Sequence, residues 1–417
     1  MQDEAAGGRA GRAGAKQEEH NVAQRDLGEY LARISQNKVN RRSFLAASGL
    51  VGTSAFLAAC SSSGSSGGAS AAPAASAAPA ASAAPAGDIE DSLFMYNWSE
   101  YINPDNIETY KAEFGVNTFQ YDIFSNNEEL IAKLQGGASG YDIAAPTAEY
   151  VPGMVEEGFL AKLDLSRIPN QKYIDPAFLG LDWDPTNEYQ LPKDFGTTGI
   201  LYREKLTGKP VESWRELYDL TLGEFSGKTV FVDSMGDVFV MPLKMLGYSL
   251  NSVDKAELEE ARKILLDLAP HILSLDSDTY QVKLSSEEAA LCLGWTGPLL
   301  ELRANPDTAD TAYSVPTEGS LFWLDTWVMM ADAPHPNASY AWLDYIHRPE
   351  IQALETEYNG YATPSSEARK LVSQELLDDP AIFPPESVMP LLEGAVDTSG
   401  NNQRLDIWAE FKQKIGS

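Results

Sequence analysis

The feature that most constrains the fold is an alternation of short apolar runs and amphipathic helical segments from residue 92 onward. "SLFMYNW" predicts a first strand, and "NPDNIETYKAEFG" a helix capped by Asn103 and stopped by Gly115. "VNTFQYDIF" predicts a second strand, and "SNNEELIAKLQGG" a helix opened by a capping box from Ser125 to Glu128. "YDIAAP" predicts a third strand. Three consecutive strand–helix units predict a parallel sheet in an α/β fold.

A second group of strands and helices begins near residue 198. Strands are predicted at "GILYR", "KTVFVDS", "AALCLGW" and "LFWLDTWVMM", with a long helix at "DKAELEEARKILLDLA" and a last one at "LDIWAEFKQKI". In open α/β sheets, ligands bind beyond the carboxyl ends of the strands. Aromatic and polar clusters follow four predicted strands, at 98–101, 146–150, 233–237 and 295–297. We therefore expect a binding site where these strand ends meet.

The first ninety residues differ in kind from the rest. Arg41 and Arg42 precede an apolar run that is too short and too rich in small residues for a membrane span, and "LAAC" ends at Cys60. This order predicts an export signal over residues 1–59, of the twin-arginine type or alternatively an ordinary Sec signal, with lipid on Cys60. Residues 60–90 read as a low-complexity linker. We expect an exported protein, anchored by lipid to the outer face of the cell membrane.

Net charge, cysteine content and missing motifs limit the binding partners and the chemistry that we expect of this chain. The net charge of -30 repels nucleic acid and anionic lipid and concentrates cations near the surface. With Cys60 lipidated, Cys292 has no disulfide partner and is expected to be a buried apolar residue. "GEFSGKT" at 223–229 has one residue too few between its glycines for a phosphate loop, and we find no nucleophile elbow or zinc motif. We predict no catalytic residue, no cofactor and no metal.

The segment "LFWLDTW" at 321–327 sets one aspartate among aromatic rings. On a strand, Trp323, Asp325 and Trp327 would share a face. Because an unpaired buried charge is costly, Asp325 is solvated, paired with a Lys or Arg of the chain, or met by a diffusible cation. Rings beside polar or acidic residues recur in "YNWSEY", "DSMGD", "GWTG" and "NGYATP". An ammonium over an indole gains about 0.5 to 2 kcal/mol, so the pattern favours a cationic ligand.

From residue 92 to 417 the sequence resembles the spermidine/putrescine-binding proteins of polyamine ABC transporters. The matching segments include "LFMYNWSEYI", "YDIAAPTAEYV", "VFVDSMGDVFVMPLKMLGYS", "GSLFWLDTW" and "NGYATPSSEARKL". The resemblance implies a two-lobed, hinged α/β fold of the periplasmic-binding-protein type (type II), each lobe a mixed sheet flanked by helices. Residues 91–197 and 323–366 would form lobe 1, and 198–322 and 367–417 lobe 2. A monomer would clamp a polyamine between the lobes and deliver it to the membrane permease subunits.

The resemblance also implies a set of ligand contacts made by aromatic, hydroxyl and carboxylate side chains. In it, Trp295 and Trp323 sandwich the carbon chain, Asp325 holds one amine, and Asp237 falls where the family has a Glu that reaches the other amine. The complete set is Trp98, Ser99, Tyr101, Thr147, Glu149, Ser234, Asp237, Trp295, Trp323, Asp325 and Tyr361.

Two of these positions depart from the family pattern. Ser234 stands where members often carry an aspartate, and Glu149 where an aromatic residue is common. We interpret the pair as a relocated anionic contact, with a first-turn Glu favoured by the helix dipole as the alternative. Three other functions stay open at this point: the same fold binding another small cationic metabolite, a secreted hydrolase that uses two carboxylates, and an anchored scaffold without a small ligand.

Overall fold

The computed structural model describes residues 87–415, so the predicted export signal, Cys60 and most of the predicted linker lie outside the described residues. The strands within this range are β1 (Ser92–Asn97), β2 (Thr118–Ile123), β3 (Ile143–Ala144), β4 (Gln190–Thr197), β5 (Gly199–Arg203), β6 (Thr229–Phe231), β7 (Ile272–Leu275), β8 (Leu291–Gly294), β9 (Thr311–Ser314), β10 (Ser320–Met329) and β11 (Leu392–Gly394). They form two sheets. The first has the order β11-β10-β3-β1-β2 with β4 also paired to β10, and the second has the order β7-β6-β8-β5-β9.

Helices flank both sheets. They are α1 (Pro104–Phe114), α2 (Asn127–Gln135), α3 (Val151–Glu156), α4 (Glu204–Thr207), α5 (Trp214–Leu222), α6 (Met235–Met245), α7 (Lys255–Leu268), α8 (Tyr280–Ser285), α9 (Leu299–Ala304), α10 (Pro336–Ile346), α11 (Pro349–Asn359), α12 (Ser366–Arg369), α13 (Gln374–Leu377) and α14 (Asn402–Lys414). None of those between residues 87 and 415 has the length and apolar character that crossing a bilayer requires.

The predicted parallel pairing is confirmed at the start of the chain. β1 pairs in parallel with both β2 and β3, and α1 begins at the Asn103 cap and ends at Gly115, whose φ of 75° suits a glycine. The predicted capping box was wrong by one residue. Asn126, in extended backbone, caps α2 by accepting from the Glu129 N–H, while the Glu129 carboxylate accepts from the Ser125 N–H.

Each sheet has its own core, so the mixed α/β class with two sheets is confirmed. Leu93, Ile143 and Trp342 are among the buried residues of the first core, and Val230 and Leu291 are among those of the second. Cys292 is fully buried in the second core, as expected of an apolar residue.

Chain crossings between the two sheets complicate the division into lobes. β4 leads through Thr198 into β5 of the other sheet. Within the range assigned to lobe 2, β11 pairs in parallel with β10 of the first sheet, whereas Phe411 of α14 lies in the second core. The residue boundaries of the lobes stay a prediction.

Candidate ligand-binding site

A cavity of about 360 Å³ is lined by residues that follow strands of both sheets. Its walls include the clusters after β1, β3, β6 and β8, in agreement with the rule for strand ends in α/β sheets. The volume suits a small organic ligand. The structure brings all eleven predicted contact residues into this one lining: Trp98, Ser99, Tyr101, Thr147, Glu149, Ser234, Asp237, Trp295, Trp323, Asp325 and Tyr361.

The lining is acidic. Among the described residues, 87–415, no Lys, Arg or His surrounds the cavity, whereas six carboxylates do: Glu100, Glu149, Asp237, Asp278, Glu301 and Asp325. Carboxylates facing a shared, partly dry space repel one another and attract a cation. The arrangement therefore favours a ligand with more than one positive charge.

Aromatic rings form the rest of the wall. The Trp98 indole lies 5.8 Å from the Trp295 ring, nearly perpendicular to it, and its Nε1 donates to the Ala145 carbonyl at 2.9 Å. Trp323 stands edge-on to Tyr361 at 5.0 Å, and Tyr361 edge-on to Tyr101 at 5.5 Å. These contacts fix the planes of the rings before any ligand arrives.

Two glycines leave the space that these rings need. A Cβ at Gly196 would lie 2.3 Å from Cζ2 of Trp323, and one at Gly297 would lie 2.4 Å from the Tyr361 hydroxyl oxygen. The Nε1 of Trp323 is buried and finds no hydrogen-bond partner in the part of the chain that the structure describes. The indole is therefore held by packing rather than by a polar contact.

Asp237 is held by neutral donors. It lies in the first turn of α6, whose cap is Ser234. Its carboxylate accepts hydrogen bonds from the hydroxyls of Ser234, at 2.5 Å, and Thr198, and from Nε1 of Trp295 at 3.0 Å. Burial raises the pKa of Asp237, and these three donors oppose the increase. Ser234 thus serves the helix cap and the carboxylate at once.

Alternate residues of β10 reach the cavity up to Asp325. Leu321, Trp323 and Asp325 all line the cavity. The pairing of β10 with β4 then shifts, because Asp325 faces Asp194 while Thr326 faces Pro192. Trp327, the third residue of the predicted face, does not line the cavity. The Trp327 indole is instead 1% exposed in the first core, near Trp342.

Asp325 is buried but forms no ion pair with the nearby Lys193. Tyr101 places its hydroxyl 2.5 Å from Oδ2 of Asp325 and also within hydrogen-bond distance of Asp194. Lys193 instead pairs with Asp194, with 2.6 Å between Nζ and Oδ2. Burial and the charge of Asp194 raise the pKa of Asp325 to about 7, against hydrogen bonds from Tyr101 and Thr147.

Lys193 and Asp194 were missed by the sequence interpretation. Neighbouring residues on a regular strand point to opposite faces, so "LPKDFG" gave no sign that the two side chains meet. Lys193 is the extra residue of the bulge in β4, and a bulge re-aims side chains. Both are buried, and Lys193 Nζ lies 3.3 Å from the centre of the Tyr101 ring.

The remaining predicted residues lie on short connecting segments. Thr147 is fixed by Asn127, which accepts from the Thr147 N–H at 3.0 Å and donates to its hydroxyl at 2.9 Å. Glu149 is half-buried, and burial raises its pKa well above the usual range, with Asp325 and Asp237 adding to the effect. Ser99 precedes Glu100, a lining carboxylate outside the predicted set whose φ of 51° is unusual for a residue with a side chain.

The fold and the acidic, ring-lined cavity between two sheets define a receptor for a small solute. The sequence matches the family described as bacterial extracellular solute-binding protein over residues 106–384, and the chain belongs to that family. One relative is the putrescine/agmatine-binding protein of Pseudomonas aeruginosa, 34% identical over 317 residues, or 73% of this chain and 86% of that protein. The spermidine/putrescine-binding periplasmic protein of Escherichia coli is 31% identical, over 79% of this chain and 92% of that protein.

A solved structure gives the same assignment. The spermidine/putrescine ABC transporter substrate-binding protein PotD from Streptococcus pneumoniae superposes with a TM-score of 0.64 at 30% sequence identity. The match covers 78% of this chain and 99% of that one. The α/β architecture predicted from the sequence is thus that of a substrate-binding protein.

Proposed function

We propose that this protein captures a linear polyamine, putrescine or spermidine, outside the cell and delivers it to the permease of an ABC importer. The observation that carries the proposal is the lining of the cavity, where six carboxylates and several aromatic rings occur without a basic side chain. A flexible chain of methylenes with ammonium groups matches both features, because rings bind methylenes and carboxylates bind ammonium groups.

Each side chain has a distinct part in this proposal. Asp325 accepts from one ammonium and Asp237 from another, while the rings of Trp98, Trp295 and Trp323 enclose the carbon chain. Tyr101, Tyr361, Thr147, Ser99 and Ser234 complete the wall, and Glu149 adds a further negative charge. No bond is made or broken, and neither a cofactor nor a metal takes part.

Capture is expected to close the two lobes around the ligand. An open state admits the polyamine, and contacts from both sheets favour the closed state, so differential affinity drives the change. Asp325 belongs to the first sheet and Asp237 to a helix packed on the second, which lets one ligand bridge the two.

We further propose that the protein acts as a monomer tethered by lipid on Cys60 and exported by the twin-arginine route. The low-complexity segment would then hold the receptor near the permease. Substitution Cys60→Ala is expected to release the protein into the medium, whereas a protein that stays with the membrane fraction would contradict the tether.

A thermal-shift panel tests the ligand class. A ligand at about 100 times its Kd stabilises the native state by about 2.7 kcal/mol. We expect upward shifts with putrescine or spermidine and none with neutral sugars or glutamate. Absence of any shift with diamines and triamines at millimolar concentration would overturn the proposal.

Agmatine is the second candidate because one relative is named a putrescine/agmatine-binding protein. It carries one ammonium and one guanidinium, and both suit an acidic cavity. Competition between agmatine and putrescine, measured by calorimetry, separates the two, since the native ligand should bind more tightly by at least tenfold.

A further inference from the structure

A buried ionic cluster lies directly behind the wall of the cavity. Lys193 donates to Asp194 at 2.6 Å, and its Nζ lies 3.3 Å from the centre of the Tyr101 ring. Asn359 also donates to Asp194, at 3.3 Å. Lys193, Asp194, Tyr101 and Asp325 are each at most 7% exposed. The four side chains are therefore largely buried, and the number of protons that they share sets their net charge.

The single proton of the Tyr101 hydroxyl is not enough for the two contacts that this hydroxyl makes. The Tyr101 hydroxyl lies within hydrogen-bond distance of Asp194 and of Asp325, 2.5 Å from the latter. A phenol carries one proton and donates to one acceptor at a time. If both carboxylates were ionised, one of the two contacts would bring oxygen lone pairs together with no proton between them. A second proton must therefore lie in the cluster.

The neighbours of each carboxylate decide where that proton resides. Asp194 faces the Lys193 ammonium and the Asn359 amide, which satisfy a negative charge. Within residues 87–415 no cation pairs with Asp325, which accepts a hydrogen bond from Thr147 and faces the acidic cavity. The hydrogen-bond chain then runs from the Asp325 carboxyl O–H to the Tyr101 oxygen, and from the Tyr101 O–H to Asp194.

We propose that Lys193 and Asp194 are positioning residues that hold a proton on Asp325 through Tyr101 while the site is empty, and that an arriving ammonium displaces this proton. This step rests on the proposed function. The ammonium keeps its own protons and donates to the ionised Asp325, whose carboxylate moves out of contact with the Tyr101 oxygen. Tyr101 continues to donate to Asp194, and one proton leaves to solvent. No covalent bond changes.

A proton on Asp325 avoids the unfavourable free energy of an unpaired buried carboxylate while the site is empty. An unpaired buried carboxylate is unfavourable, and a proton neutralises it until a cation is present. The same arrangement selects for charged ligands. A ligand with a neutral hydroxyl or amide in place of the ammonium brings no positive charge to compensate for the loss of the Asp325 proton. Such analogues are expected to bind weakly.

Other groups that face Asp325 agree with this assignment. Its pKa is raised to about 7 by burial and then by Asp194, and that of Tyr101 is raised well above its usual range, so the phenol stays neutral. Tyr361, which follows α11, and Glu149, from the turn after β3, also interact with Asp325, whereas Glu355 of α11 interacts with Lys193 and Asp194. Burial raises the pKa of Glu355 to about 7 as well, while Lys193 opposes the increase.

The first test needs no ligand. We expect a carbon-13 NMR titration of the aspartate carboxyls in the unliganded protein to show one resonance with a midpoint near pH 7. Asp325→Asn should remove that resonance, and Asp194→Asn should move its midpoint downward. A resonance of Asp325 that titrates near pH 4 in the native protein would overturn the inference even if no polyamine bound.

The second test measures protons released on binding. Calorimetry with putrescine at pH 6 in two buffers of different ionisation enthalpy should give release of about one proton, falling toward zero at pH 8.5. Amines with a pKa near 10 stay charged throughout and contribute little. The affinity of the native protein should rise about tenfold per pH unit below the midpoint and level off above it.

Variants assign the effect to the cluster. Asp194→Asn and the double variant Lys193→Met, Asp194→Asn should release less than half as many protons at pH 6, with a flatter pH profile. Glu113→Gln changes the net charge by the same one unit at a surface ion pair with Arg348 and should keep the native profile. Native proton release in the folded Asp194→Asn variant would refute the positioning role, whereas tight binding without proton release in the native protein would refute the shared proton but not the receptor function.

Discussion

Asp325 and Asp237 line the same cavity, yet the protein keeps them there in different ways. Asp237 lies in the first turn of α6 and receives hydrogen bonds from two hydroxyls and an indole. Asp325 lies on β10 beside Asp194 and a buried lysine, and shares the hydroxyl of Tyr101 with that second aspartate. One carboxylate is stabilised by neutral donors and the other belongs to an ionic cluster.

The difference shows which side of the site is more sensitive to charge. Hydrogen bonds from neutral donors stabilise the ionised form of Asp237 in the buried site. The Asp237 carboxylate can therefore be stabilised both before and after a cation binds. Asp325 has a second negative charge beside it, so its own ionisation depends on the arrival of a cation. Substitutions on the two sides should therefore have unequal effects.

The largest expected effect is that of Asp325→Asn. Loss of a buried carboxylate that pairs with an ammonium should weaken polyamine binding by about 2 to 5 kcal/mol, or roughly 30-fold to several thousandfold. Calorimetry measures it directly. Glu113→Gln, with the same change in net charge outside the cavity, is the control, and a loss under tenfold in Asp325→Asn would contradict its role.

Asp237→Asn should have a smaller effect. The amide oxygen still accepts from Thr198 and Trp295, so the loss is limited to the charge, at about 1.5 to 3 kcal/mol. The same titration measures it beside Asp325→Asn. If the two substitutions weakened binding equally, or in reverse order, the contrast between the two sides would be wrong.

The contrast extends to stability. Asp325 has a folded-state pKa of about 7 against an unfolded value near 4. A raised folded-state pKa stabilises the fold below the unfolded value, and that contribution is lost as the pH rises through 7. Asp325→Asn should therefore increase the free energy of unfolding of the empty protein at pH 8 by about 1 to 2 kcal/mol.

Chemical denaturation of the unliganded protein at pH 5 and pH 8 checks this prediction. The variant should gain relative to the native protein at pH 8 and much less at pH 5. A gain that is the same at both pH values would point to packing instead of ionisation.

Gly196→Ala tests the part that the Trp323 indole plays in binding and leaves every charged residue unchanged. Its Cβ would lie 2.3 Å from Trp323, so the indole must move. We expect binding to weaken by about 0.5 to 2 kcal/mol, the range of one ammonium–ring contact. Gly400→Ala, where a Cβ would meet nothing within 4 Å, is the matched control. Unchanged affinity in Gly196→Ala would show that Trp323 does not contact the ligand.

The smallest effect is expected for Glu149→Gln. Burial raises the pKa of Glu149 well above the usual range, so its charge in the empty site is reduced. A loss of about two- to fivefold, greater for spermidine than for putrescine, fits one further ammonium near this side chain. Equal losses for both ligands would argue against a separate contact.

Much of this arrangement could be predicted from the sequence. The polar and aromatic clusters after β1, β3, β6 and β8 were recognisable because parallel strands end at one edge of a sheet. The predicted residues of these four clusters line one cavity for that reason, whereas Trp323 and Asp325 lie within β10 and Tyr361 follows α11. Asp325 was recognised as unusual because a carboxylate among rings needs a cation.

What escaped prediction depends on irregular backbone. The bulge at Lys193 brings two consecutive side chains together, whereas strand alternation predicts that they point to opposite faces. The cap of α2 moved by one residue, since Ser125 and Asn126 are both suitable capping residues. Distances across tertiary contacts, such as that from Tyr101 to Asp194, are not encoded in local patterns.

A crystal structure with bound spermidine or putrescine tests the central claim most directly. The account predicts an ammonium nitrogen within about 3 Å of an Asp325 carboxylate oxygen, with the carbon chain between the indoles of Trp295 and Trp323. An Asp325 carboxylate that makes no contact with the bound ligand, or a ligand held outside this cavity, would contradict it.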